Sequence, residues 1–276
     1  MIEVGLYNTL EVLRETPQGL RLGTEEHNIL LPRRQVPRGC EVGDLLEVFV
    51  YTDSSDELIA TTLSPLATVG QFACLRVVDV TPHGAFLDWG LPKDLFAPFS
   101  RQHRPLRIGD RIVVGLSVHA ATGRVIASST LAGLFDDDVE HLSPGQPVQL
   151  LVYGKNELGV QVIVQGRHAG LVFHDRVFQP VRLGEALEGF IDQVREDHRL
   201  DITLQRPGRE GNSDAEETIL AALDAAGGRL NLHDKSPPEA IYQALGLSKK
   251  AFKRAVGSLY RAHQIELGEG CIRRIE

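Results

Sequence analysis

The chain has 276 residues, of which 42% are hydrophobic and 24% charged, and a formal net charge of −8. That balance points to a soluble, globular protein with room for several small domains, and no apolar run approaches the ~18 residues of a membrane span. Three scattered cysteines, Cys40, Cys74 and Cys271, exclude a disulfide framework and a CxxC zinc site. No basic start leads into an apolar stretch at the N-terminus, so a cytoplasmic location is expected.

In chain order, residues 1–65 alternate as strands do, with turn signals at Pro17-Gln18-Gly19 and Asp53-Ser54-Ser55-Asp56. Residues 66–131 and 132–206 repeat this organisation. A glycine opening an alternating strand recurs as Gly19, Gly84 and Gly159, at spacings of 65 and 75 residues. A second phrase recurs in step as Val42-Gly43-Asp44, Ile108-Gly109-Asp110 and Leu183-Gly184-Glu185. Two landmarks shifting together imply three copies of one β-module, each long enough to close into a barrel with its own core. Modules of that size bury little, so neighbours are expected to pack on one another.

Residues 207–213 read as a polar linker. From Asp214 the apolar period changes from 2 to about 3.6. Asp214, Ser236 and Ser248 are the expected caps of three helices, the first two ended by Gly227-Gly228 and by Gly246. Ile265-Glu266-Leu267 and Cys271-Ile272-Arg273 form a hairpin. Three helices closed by a hairpin, over residues 214–276, have a winged helix-turn-helix layout. The expected fold is therefore mainly β with a C-terminal α+β domain.

Charge is unevenly spread. Residues 1–65 hold 5 basic and 11 acidic side chains, residues 66–131 hold 7 and 4, residues 132–206 hold 7 and 12, and the remainder 10 and 10. An acidic chain is a poor generic polyanion binder, because phosphate contact depends on local Lys and Arg. The middle module escapes that objection. It places His83, Phe86 and Asp88 along one strand, with Ala85, Leu87 and Trp89 on the core face. Phe96 and Phe99 follow, then Arg101, His103, Arg104, Arg107 and Arg111. Aromatic faces beside a cluster of cations suit single-stranded nucleic acid, with bases stacking and cations taking phosphates. The third C-terminal helix carries Lys249, Lys250, Lys253, Arg254 and Arg261 with no acid between Ser248 and His263, and Arg273 lies in the hairpin. It is a candidate phosphate-binding or groove-entering helix.

Gly84-Ala85-Phe86-Leu87-Asp88-Trp89-Gly90 followed by a second strand resembles the S1 RNA-binding domain, a five-stranded barrel of the oligonucleotide-binding (OB) kind. Three such barrels and a winged helix resemble the conserved virulence factor B family of bacterial RNA-binding proteins. The resemblance implies post-transcriptional control of gene expression, including virulence. It also implies RNA contacts at His83, Phe86, Pro98 and Arg124 in the middle barrel. Pro98 departs from the family's histidine, leaving Phe96, Phe99 or His103 as replacements. The third-barrel positions are Leu158, Val160, Phe173 and Arg199. In the first barrel the Phe position is Leu20 and the Arg position Glu57, so that barrel is expected to bind RNA poorly and to brace the architecture.

Asp136-Asp137-Asp138 is expected to be a linker run or helix start rather than a cation site, and no cofactor or catalytic constellation is expected. The expected partner is single-stranded RNA, with duplex nucleic acid at the winged helix and ribosome or transcription machinery as further partners. Two alternatives stand beside the RNA regulator: a winged-helix transcription factor reading DNA, and a protein-binding scaffold. An enzyme is the least supported class.

Overall fold

The computed structural model describes residues 2–177, 180–205 and 208–275. The chain divides into two compact units, Met1–Phe135 and Asp136–Glu276. Among the described residues no helix is long and apolar enough to cross a membrane.

The first unit holds two closed five-stranded barrels. Barrel 1 comprises β1 (Tyr7–Thr16), β2 (Gly19–Gly23), β3 (Asn28–Pro32), β4 (Leu45–Thr52) and β5 (Leu58–Thr61). Barrel 2 comprises β6 (Phe72–Thr81), β7 (Gly84–Asp88), β8 (Leu95–Pro98), β9 (Arg111–Val118) and β10 (Val125–Ser128). The second unit opens with barrel 3, made of β11 (Pro147–Lys155), β12 (Gly159–Val164), β13 (His168–Phe173), β14 (Ala186–Val194) and β15 (Leu200–Thr203). In every barrel the third strand closes the ring by parallel pairing with the fifth, as in Leu30↔Ile59, Phe96↔Ile126 and Leu171↔Asp201. The three-barrel expectation holds.

Both repeated phrases have a physical cause. A Cβ on Gly19, Gly84 or Gly159 would collide with a facing main-chain carbonyl, of Leu31, Ala97 or Val172 respectively, so only glycine allows the second and third strands to pair there. The second phrase docks on the first strand. Gly43, Gly109 and Gly184 donate to the carbonyls of Val12, Val77 and Val152 at 2.8, 2.9 and 2.7 Å. The same three valines donate back to Asp44, Asp110 and Glu185 at 2.8, 2.9 and 2.9 Å. Each valine sits where its strand bulges, so the phrase satisfies backbone groups that the bulge leaves out of the ladder. The glycines reach this geometry with φ of +97°, +89° and +76°.

Barrel 1 closes over Val12, Leu22, Leu31, Val48 and Val50, and barrel 3 over Leu150, Val162, Ile191 and Ile202. Strand β4 breaks the alternation of a half-solvated strand, because Val48, Phe49, Val50 and Tyr51 are all buried. The valines fill barrel 1, while Phe49 and Tyr51 join the core of barrel 2 around Trp89. Trp89, expected in a barrel core, therefore sits at the contact between barrels. The first unit ends at Phe135, four residues beyond the expected boundary, since Phe135 stacks on Phe72 with ring centroids 5.4 Å apart.

The C-terminal domain contains α1 (Gly208–Ala225), β16 (Arg229–Leu230), α2 (Pro238–Leu245), α3 (Lys249–Arg261), β17 (Ile265–Gly268) and β18 (Cys271–Arg274). The strands form a sheet in the order β16-β18-β17, one strand more than the expected hairpin. Ile219, Leu223, Ile241, Phe252, Leu259 and Ile272 make its core. Two boundaries differ from the sequence reading. Helix α1 begins inside the expected 207–213 linker, leaving Asp214 within the helix. No proline interrupts residues 208–225, and each glycine there costs a helix only about 1 kcal/mol. The cap position of α2 is Pro237, while the Ser236 hydroxyl accepts the His233 N–H at 3.0 Å. Ser248 caps α3 as expected, accepting the Ala251 N–H at 3.0 Å.

Candidate nucleic-acid interface

Strand β7 turns Ala85 and Leu87 inward and leaves Phe86 and Asp88 half-buried on its outer face. Register pairs Phe86 with Phe96 of β8, and the two rings lie 5.2 Å apart at 45°. Phe96 thus lies beside Phe86 across the strand pair, while Pro98 pairs with Gly84. These rings, with His83 and Arg124, line a cleft of about 340 Å³. Tyr51 and Thr52 of barrel 1, with Trp89, Lys93 and Asp94, are among the other residues that line it. The indole N–H of Trp89 donates to the Lys93 carbonyl at 2.6 Å, fixing the loop that carries Lys93 and Asp94.

The cleft brings together four of the expected residues: His83, Phe86, Phe96 and Arg124. Asp88, Phe99, Arg101 and His103 do not line it. Asp88 accepts the Gly90 N–H at 3.1 Å and so shapes a turn. Phe99 is exposed on the single turn after β8, its N–H on the His83 carbonyl at 3.3 Å. The Arg101 carbonyl accepts from Ser129 at 2.9 Å, and both the N–H and the ring of His103 meet the Ser129 hydroxyl at 3.1 Å. Those residues stitch the post-β8 turn to the end of β10.

Partial burial, then the charges of Asp88 and Asp79, push the Asp94 carboxyl above the ordinary carboxylate range. On barrel 2's flank, Asp110 is held below that range, first by its hydrogen bond from Arg104 at 2.7 Å.

Sequence register misplaced one position in the other barrels. Phe86 stands two residues after its glycine, so its counterparts are Arg21 and Gln161. Leu20 and Val160, one residue earlier, are buried in the barrel cores. In barrel 3, Phe173 is half-buried at the end of β13 and pairs with Gly159. Arg199 is exposed 3.9 Å from Asp197. Tyr153, absent from the expected set, is the extra residue of the β11 bulge. Burial raises its phenol pKa, and the charge of nearby Arg199 offsets part of that rise. An aromatic at the bulge, in Val152-Tyr153-Gly154, was the available signal.

In the C-terminal domain α3 buries Phe252, Val256 and Leu259 and exposes Lys250, Lys253, Arg254 and Arg261, with Lys249 half-buried. Arg261 donates to the Gly257 carbonyl at 3.1 Å. Arg273 is exposed and paired in register with Glu266, whereas Arg274 is tied to both carboxylate oxygens of Asp224 at 2.6 Å. Among the described residues no group of His, Cys, Asp or Glu could hold a metal ion. The Asp136 segment lies in neither helix nor strand, its N–H on the Arg167 carbonyl at 3.0 Å and its carbonyl accepting from buried His168 at 2.8 Å.

Residues 217–273 match the family described as CvfB-like winged helix domain, and residues 4–63 match the S1 domain family. The chain is 30% identical over 264 residues to YitL of Bacillus subtilis, covering 92% of this chain and 87% of that one. It is 28% identical to conserved virulence factor B of Staphylococcus aureus, covering 84% of this chain and 80% of that one. A solved structure from Streptococcus pneumoniae, described as a multidomain protein with nucleic acid binding domains, is 25% identical with a TM-score of 0.47 and covers 99% of both chains.

Proposed function

The chain belongs to the conserved virulence factor B family, and from that premise we propose that it is an RNA-binding regulator of gene expression acting after transcription. The observation that carries this reading is the Phe86–Phe96 pair beside Arg124 in one cleft. Each base stacked on an aromatic contributes roughly 1–3 kcal/mol whatever its identity, while a cation beside the ring takes a phosphate. The cleft is small enough for about one nucleotide unit, so barrel 2 anchors a single-stranded segment. Tyr153, Phe173 and Arg199 of barrel 3 and the basic side of α3 supply weaker contacts. Weak sites on one chain raise each other's effective concentration, so the array binds more tightly than any one part.

Fluorescence anisotropy with labelled single-stranded RNA, single-stranded DNA and duplex DNA, each across a salt series, tests this. Saturable binding that favours single-stranded RNA supports the reading, and no binding to single strands removes it. The basic face of α3 favours one second reading, in which the winged helix reads duplex DNA. Its mark is a sequence-dependent footprint controlled by Lys253 and Arg254. Binding to none of these ligands leaves the protein scaffold as the surviving alternative.

A further inference from the structure

The hairpin joining the last two strands of each barrel has the same closing hydrogen bond in all three. Asp53 donates to Glu57 at 2.8 Å, His119 to Arg124 at 2.8 Å, and Arg195 to Arg199 at 2.9 Å. The penultimate residue is left-handed each time: Asp56 at φ 65°, Gly123 at 67° and His198 at 60°. Glu57, Arg124 and Arg199 are therefore equivalent positions. Where barrels 2 and 3 offer a cation, barrel 1 offers an acidic tip.

That tip reaches barrel 2. One carboxylate oxygen of Asp56 is ion-paired with Arg124, and the other lies 3.5 Å from the Lys93 ammonium, which also donates to the Asp53 carbonyl. The tip is held in shape, because the Asp53 side chain accepts the N–H groups of Ser55 and Glu57 at 2.8 and 3.1 Å. Asp56 and Arg124 are each 46% exposed and Lys93 is 29% exposed, so both pairs are open to competition from solution.

We propose that barrel 1 is part of the RNA site and that Asp56 controls it, holding Arg124 and Lys93 in the free protein and yielding them to phosphates when a strand binds. This rests on the RNA reading above. A half-exposed ion pair is weak, so a phosphodiester can displace it. The displaced carboxylate then collects a counterion, which offsets one of those the RNA releases and mutes the salt dependence. Barrel 1 thereby lowers affinity for strands that offer phosphate alone, and leaves binding to depend on bases that fill the aromatic cleft.

Asp56→Asn is the test, since Asn keeps the shape and tolerates the left-handed backbone. Binding of the full chain to a single-stranded RNA oligonucleotide is measured across a salt series. Expected are an affinity gain of about 2- to 20-fold near 0.1 M salt and a log–log salt slope steeper by about 0.7, one phosphate's worth. In the Asp56→Asn, Arg124→Ala double variant, compared with Arg124→Ala alone, the gain shrinks to the share of Lys93. Unchanged or weaker binding by Asp56→Asn, with the wild type binding normally, overturns this inference and leaves the RNA reading intact. Failure of wild type and variant alike to bind single-stranded RNA overturns both.

Discussion

Phe49 of barrel 1 and Trp89 of barrel 2 meet edge to face, ring centroids 5.7 Å apart at 76°, and both are essentially fully buried. With Tyr51, whose ring lies 6.0 Å from Trp89, they join the first two barrels in one compact unit. Two small barrels that share a core bury more apolar surface per residue than either could alone.

Phe49→Ala should therefore loosen the joint. The expected cost is about 3–5 kcal/mol, the usual range for a buried aromatic truncated to Ala. Trp89 is the chain's single tryptophan, so its emission reports the joint directly. Urea denaturation should show a lowered midpoint, and native-state emission should shift to the red as water reaches the indole. An unshifted spectrum with wild-type stability would show that the joint contributes nothing.

The Phe86–Phe96 platform makes a separate prediction. Phe86 is half-buried and outside the barrel core, so Phe86→Ala should leave the fold intact. Combined with Arg124→Ala it should weaken single-stranded RNA binding tenfold or more, in keeping with about 1–3 kcal/mol for the lost stacking alone. Trp89 lines the same cleft, so its fluorescence should change on RNA binding in the wild type. Wild-type affinity in the double variant would remove the site assignment.

Asp94 gives the site a pH dependence of definite sign. Its carboxyl is held above the ordinary range by burial and by Asp88 and Asp79, so on acidification it loses its charge earlier than an ordinary carboxylate would. A neutral Asp94 repels a polyanion less. RNA affinity should therefore rise as pH falls from neutral toward that raised pKa, sooner than an ordinary carboxylate would allow. Asp94→Asn should tighten binding at neutral pH and flatten the profile. With His83→Gln in both proteins, the remaining difference in pH dependence belongs to Asp94. A profile unaltered by Asp94→Asn would show that this carboxylate does not face the ligand.

Much of the fold was legible because the repeat records backbone necessity. Gly19, Gly84 and Gly159 exist where a Cβ would strike a carbonyl, and the Gly-Asp phrase exists where a bulged strand needs new partners. Such constraints act within one module and leave local traces. The shared core around Phe49, Tyr51 and Trp89 left a fainter trace, the unbroken apolar run from Val48 to Tyr51. Nothing in that run says which surface covers it. The site was half legible for the same reason. Strand alternation put Phe86 on an open face, but Phe99, Arg101 and His103 are close only in sequence, and the turn after β8 carries them away from the cleft. Asp56 stood in a plain turn signal, and its partner Arg124 lies 68 residues away.

The basic side of α3 supports a separation of binding from stability. Lys249 with Lys253, and Lys250 with Arg254, are i,i+4 pairs of like charge, which cost a helix a few tenths of a kcal/mol each. Lys253 is exposed, and Ala is the best helix former. Lys253→Ala should thus leave the C-terminal domain as stable as before or slightly more so. If α3 contacts nucleic acid, the same change removes one phosphate contact. The salt slope should then fall by about 0.7 for a single strand or 0.9 for a duplex. Comparing the two slopes tells which form α3 meets: a loss only with duplex assigns α3 to groove entry, and a loss only with single strands makes it an extension of the barrel site. A raised melting temperature with both slopes unchanged would mean that the cationic face serves a protein contact or none.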